Sequence, residues 1–196
     1  MIQAAIARGI DGLAFTDHHS LVPLARLRDL NRKYAPFRIF GGVEISVNEG
    51  EDMLVLGVRD PALESRDWTY PALYDFVRGR EGFLIFAHPF RFRDTIALDL
   101  ERFPPDAIEV RSNNTRADDE AKICHTAERF GLGLICTSDA HRTKHVGMYY
   151  SRLARVPQDE RDMLVMLRAG HYTCYSLETA APLNYEIEPC SQLCQV

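Results

Sequence analysis

Short apolar runs alternate with amphipathic stretches along the whole chain, and the alternation predicts the elements in order. Residues 2–8 are strong helix formers with Gly9 as a stop, so the chain opens in a helix. Residues 12–16 read as a strand, buried by its apolar content. Leu24, Leu27, Leu30 and Tyr34 share one face of a helix that begins after Pro23 and ends at Pro36. Residues 38–43 are a second strand that runs directly into Glu44; 48–51 form a turn, and 53–58 are a further apolar run. A loop over 60–68 precedes a helix over 71–80, with Leu73, Phe76 and Val77 inward. Residues 82–87 are the clearest buried strand, and 107–110 a shorter one. Ala117, Ala121, Cys124, Ala127 and Phe130 define the next helix, with acidic residues in its first turn and Gly131 as its cap. Strand 132–136, helix 159–169 and strand 172–177 complete the series, leaving 181–196 as an irregular tail after one domain over 1–180. Strand–helix alternation of this kind predicts an α/β fold, with parallel strands and helices packed outside.

Four of these strands deliver metal-binding side chains at or just past their C-terminal ends: Asp17 and His18, Glu44, His88, and Asp139 with His141. A fifth carries Glu109, for which an arginine partner and a metal role are both open. In a β/α barrel the C-terminal rim is where active sites are built. Three imidazoles and three carboxylates without a thiolate suit Zn, Mn or Fe(II) and argue against cysteine-rich structural zinc. A carboxylate such as Glu44 can bridge two ions, and paired divalent ions clamp a phosphoryl oxygen and acidify a water. Arg91 and Arg142 closely follow proposed ligands and are placed to bind phosphate. Metal ions with nearby arginines point to phosphate ester hydrolysis more than to amide hydrolysis. The remaining histidines read otherwise: His125 as solvated, His145 as a loop residue, His171 as a turn residue.

Composition narrows the partners. The net charge of −5 argues against a long nucleic-acid groove, while leaving room for a small phosphorylated substrate met by one or two arginines. No apolar run approaches the ~18 residues of a membrane span, and the N-terminus lacks a signal peptide's pattern. Five scattered cysteines fit free thiols in a reducing cytoplasm, and Cys190 and Cys194 are spaced wider than a zinc pair.

Thr16-Asp17-His18, Gly42-Val43-Glu44-Ile45-Ser46, Ala87-His88-Pro89 and Ser138-Asp139-Ala140-His141 resemble, in order and spacing, motifs of the PHP (polymerase and histidinol phosphatase) superfamily. The resemblance spans residues 2–177. It implies a distorted seven-stranded β/α barrel, one to three divalent ions and phosphoesterase activity through attack of a metal-bound hydroxide on phosphorus. By position, His18, Glu44, His88, Asp139 and His141 correspond to metal ligands, and Asp17 to a ligand or a group that supports one. Arg91 and Arg142 would hold the substrate's phosphate. Known members act on histidinol phosphate, on nucleotides, or on nucleic-acid ends as polymerase-associated domains. A PHP-like domain that binds metal with reduced or no turnover, or a nuclease, are the alternatives.

Three departures stand out. PHP proteins open with a strand carrying His-x-His, and this sequence starts instead where their first helix would be. Either Met1 is internal to a longer natural protein or the barrel lacks its first strand. Leu54 stands where many members have His. His19 stands where Asp or Gly is commoner and is a candidate to replace a lost ligand.

Overall fold

Period-two alternation along the central strands sorts their side chains onto two faces of one sheet. The computed structural model describes residues 1–178 and 182–183. Six strands pair in sequence order: β1 (Gly12–Phe15), β2 (Arg38–Ser46), β3 (Asp52–Leu56), β4 (Phe83–Ala87), β5 (Ala107–Arg111) and β6 (Gly133–Cys136). The sheet curls into a half-barrel. A separate antiparallel hairpin, β7 (Tyr149–Leu153) and β8 (Tyr172–Ser176), leans on β6, where the Ser151 hydroxyl accepts from the Cys136 N–H at 3.1 Å and donates to its carbonyl at 2.9 Å. The helices are α1 (Ile2–Ala7), α2 (Leu24–Tyr34), α3 (Tyr70–Arg78), α4 (Glu120–Phe130) and α5 (Glu160–Arg168).

On the convex face Val43, Ile45, Met53, Val55, Leu84, Phe86 and Ile108 pack with Leu73 and Val77 of α3 and Ile123 and Ala127 of α4. On the concave face Phe40, Leu54, Leu56, Phe83, Ile85, Ala87 and Ala107 pack with Met163, Leu164 and Leu167 of α5. Both faces of β3 and β4 are therefore buried, which is why their sequences are continuously apolar.

Two expectations are corrected here. The strands are not all parallel: β3 runs antiparallel to both β2 and β4, while β1–β2, β4–β5 and β5–β6 are parallel. A tight turn joins β2 to β3 with no room for a helical crossover, and such a turn imposes the antiparallel sense. Nor is β1 a buried strand. It pairs only with β2, and its residues are half-buried or exposed, because an edge strand has protein on one side. The β7 strand begins at Tyr149 and Tyr150, a pair that reads from the sequence as strand or core packing ahead of a base-stacking role. Of the tail expected at 181–196, only Pro182 and Leu183 are described; Cys190 and Cys194 lie outside the described residues. No helix among the described residues is long and apolar enough to cross a membrane.

Gly57, just past β3, combines a left-handed φ of 78° with close packing: a Cβ there would meet Leu164 Cδ1 at 2.3 Å. Gly57→Ala is expected to destabilise the fold by about 2–4 kcal/mol, from left-handed backbone strain plus overpacking against α5. Chemical denaturation measures it, and a loss under about 0.5 kcal/mol would show that α5 does not seat firmly on the concave face.

Candidate metal centre

Register decides what meets at the rim. Glu44 of β2 pairs with Leu54, Ser46 with Asp52, and Asp52 in turn with Ala87, the residue before His88. Glu44, Asp52 and His88 are all buried, and each offers a ligand atom within 4.8 Å of the others. His88 Nε2 lies 3.1 Å from Glu44 Oε1 and 3.7 Å from Asp52 Oδ2. The other oxygen of Glu44, Oε2, faces His18 Nε2 at 3.7 Å. His18 is anchored beside it by backbone contacts, since the His19 N–H donates to the Glu44 carbonyl at 2.8 Å and the Glu44 N–H to the Asp17 carbonyl at 3.2 Å. Across the opening, His141 Nδ1 sits 3.5 Å from Asp139 Oδ1, and the His18 and His141 rings are 6.1 Å apart. Glu44 thus presents one oxygen to a buried pocket and the other to a more open one.

Two of these residues have unusual backbone. His88 has φ 26° and Asp139 φ 42°, both in the left-handed region, where non-glycine residues cost about 1–3 kcal/mol each. Each is held by neighbours. The His88 N–H donates to Glu109 Oε2 at 2.9 Å, and the Asn114 amide donates to Asp139 Oδ2. Glu109 accepts from Thr137 Oγ1 and from the His88 backbone N–H, while neighbouring Arg111 pairs with Glu120. Burial is complete there, so a carboxylate facing inward is best used as a strut under the strained His88.

The electrostatics favour a cation. Burial alone would push the His88 imidazole down. The hydrogen bond to Glu44 and the charges of Glu109, Glu44 and Asp52 outweigh it and hold the imidazole above its ordinary value. Burial pushes Glu109 up, opposed by Thr137 and His88. Burial likewise raises Glu51, against the Ala97 N–H and Arg93. Three buried carboxylates, Glu44, Asp52 and Glu109, thus surround one imidazole. That excess of negative charge fits a divalent cation, with mixed nitrogen and oxygen donors.

The structure brings Asp17, His18, Glu44, His88, Asp139 and His141 onto the wall of one cavity of about 780 Å³. Arg91 and Arg142 are exposed on the loops after β4 and β6 and form no part of that wall. His19 is not turned to the cluster. Its Nδ1 lies 2.9 Å from the Ser65 carbonyl, and its Nε2 accepts from the Ser46 N–H, so both nitrogens are engaged in tying the end of β2 to a loop. Asp52 is the residue that sequence reasoning missed. The expectation that ligands stand at C-terminal strand ends passes over it, because β3 is reversed and brings its N-terminal end to the same rim. The turn over 48–51 between two apolar runs carried the signal, because a short glycine-containing link implies a hairpin.

No family model matches the chain, and no curated protein matches its sequence. Solved structures do match its fold. A two-domain protein from Bacteroides vulgatus, described as containing a predicted PHP-like metal-dependent phosphoesterase, superposes with a TM-score of 0.67 at 16% identity, over 89% of this chain and 59% of that one. PsfC from Pseudomonas syringae gives 0.63 at 20% identity, over 92% and 77%. An amidohydrolase from Chromobacterium violaceum, solved with bound sulfate and no metal, gives 0.61 at 20% identity, over 90% and 91%. The chain thus shares the fold of PHP-like metal-dependent phosphoesterases.

Proposed function

We propose that this chain is a metal-dependent hydrolase of small phosphate esters. The observation that carries the reading is Glu44, a buried carboxylate with one oxygen toward His88 and Asp52 and the other toward His18. Divalent cations, when bound there, supply charge neutralisation for a phosphoryl group and acidify a water. Glu44, Asp52 and His88 would hold the buried cation. Glu44 Oε2, His18, Asp139 and His141 would hold a second. Asp17, on the cavity wall beside His18, would serve as a proton acceptor there. Arg91 and Arg142, expected from the sequence to hold the substrate's phosphate, stand outside the cavity wall and take no part in this assignment. The cavity's apolar wall, including Phe40, Leu54 and Ile85, takes the organic part of the ester.

The test is hydrolysis of p-nitrophenyl phosphate with added Mn²⁺, Zn²⁺ or Fe²⁺. Chelator-sensitive turnover supports the reading. Tight metal binding without turnover on any phosphate ester would overturn it in favour of a metal-binding domain.

The raised pKa of His88 gives a further expectation. A cation must displace that proton, so affinity falls as pH drops below the imidazole's raised value, by about tenfold per pH unit for one proton. Near neutral pH, binding releases protons. Isothermal titration in buffers of differing ionisation heat measures the release, and heats independent of buffer would remove His88 from the ligand set.

A further inference from the structure

Among the described residues β1 pairs with β2 and β6 with β5, and no strand pairing joins these two ends of the half-barrel. Yet the site needs the distance between them set. His18 hangs from the end of β1, and Asp139 and His141 from the end of β6, with the two imidazole rings 6.1 Å apart.

What spans the gap is α1. Arg8, at its C-terminus, reaches across to the loop after His141. Its Nη2 donates to the Lys144 carbonyl at 3.1 Å, and its Nη1 to the Val146 carbonyl, with Thr143 further off at 3.4 Å. These carbonyls belong to and follow a 3-10 turn, Thr143–His145, whose C-terminal end carries partial negative charge. Apolar packing reinforces the contact: Val146 is buried with Ile2 and Ala5, and the partly buried Ile10 packs against them. The same loop is tied back to β6, since the Gly147 N–H donates to Ser138 Oγ at 2.6 Å and the Asn113 amide donates to the Ser138 and His145 carbonyls. One side of the loop therefore belongs to β6 and the other is held by Arg8.

We propose that Arg8 is a positioning residue: it clasps the two ends of the sheet and sets His18 and Glu44 Oε2 at binding distance from Asp139 and His141. It touches neither substrate nor cation. The proposal rests on the reading that those four residues hold the second cation. A planar guanidinium can serve several carbonyls at once, which the single ammonium of lysine matches poorly.

Cobalt titration followed by its visible absorption, with calorimetry alongside, tests this. The wild type should show two classes of site. In Arg8→Ala the second class should weaken about tenfold or more, the range for residues that orient ligands, while the buried class at Glu44, Asp52 and His88 keeps its affinity. Arg8→Lys should fall between, and millimolar guanidinium should restore Arg8→Ala. Two wild-type classes that both survive unchanged in Arg8→Ala would overturn the clasp alone. Equal weakening of both classes, unrescued by guanidinium, would also overturn it, marking a general packing role. A single class in the wild type would overturn the two-cation reading, and the clasp with it.

Discussion

Glu44→Gln is expected to strip the site of cations and lower phosphate ester hydrolysis about 10³-fold or more, while leaving the fold intact. Glu44 faces both pockets, so the amide removes the negative charge that both share and turns an NH2 group toward one of them. Glutamine keeps the volume and an oxygen able to accept from His88. The metal-free protein should be no less stable for the change. Glu44 is buried alongside Asp52 and Glu109 around a single imidazole, so the amide still leaves two carboxylates facing His88. A change of about 1 kcal/mol would shift the melting temperature of a chain this long by about 2–4 °C. Metal content, turnover and melting temperature are read on the same preparations. Unchanged metal content together with a lower melting temperature would make Glu44 a structural ion-pair residue and nothing more.

Asp52→Ala is expected to weaken the buried cation site about 100-fold, with a smaller effect on the site at His18. Asp52 is 3.7 Å from His88 Nε2 and has no such approach to His18, Asp139 or His141 among the contacts described. The two classes of site should therefore separate in a titration: the Glu44 variant loses both, the Asp52 variant mainly one. If Asp52→Ala binds the buried cation as tightly as the wild type, then the reversed strand contributes only packing at the rim, and the buried pocket is held by Glu44 and His88 with solvent.

Element by element, most of the fold was legible. The helix over 117–130 with its Gly131 cap was recoverable because a left-handed C-terminal glycine, here at φ 65°, is a local signal. The strand at 82–87 was recoverable because a segment buried on both faces must be apolar throughout. The partner of β7 was not legible: Tyr149 and Tyr150 read as strand or core, but they belong to a half-exposed hairpin paired with distant β8, and Tyr150 stacks on Tyr175 rather than on anything nearby in sequence. The half-exposure of β1 was invisible for the same reason, since it depends on which strand lies beside it.

The sequence by itself determined which side chains stand at the ends of apolar strands, because that spacing is local and the strand carries its C-terminal residue wherever it goes. His18, Glu44, His88, Asp139 and His141 were all named on that ground and all line one cavity. Only the tertiary structure decided that β3 runs backwards and adds Asp52, that Glu109 braces His88 from below, that His19 faces away, and that Arg8 links the two ends of the sheet. Each of these depends on contacts between residues far apart along the chain. Side-chain spacing reports which face a residue takes, and strand direction and partnership are set by the packing of the whole.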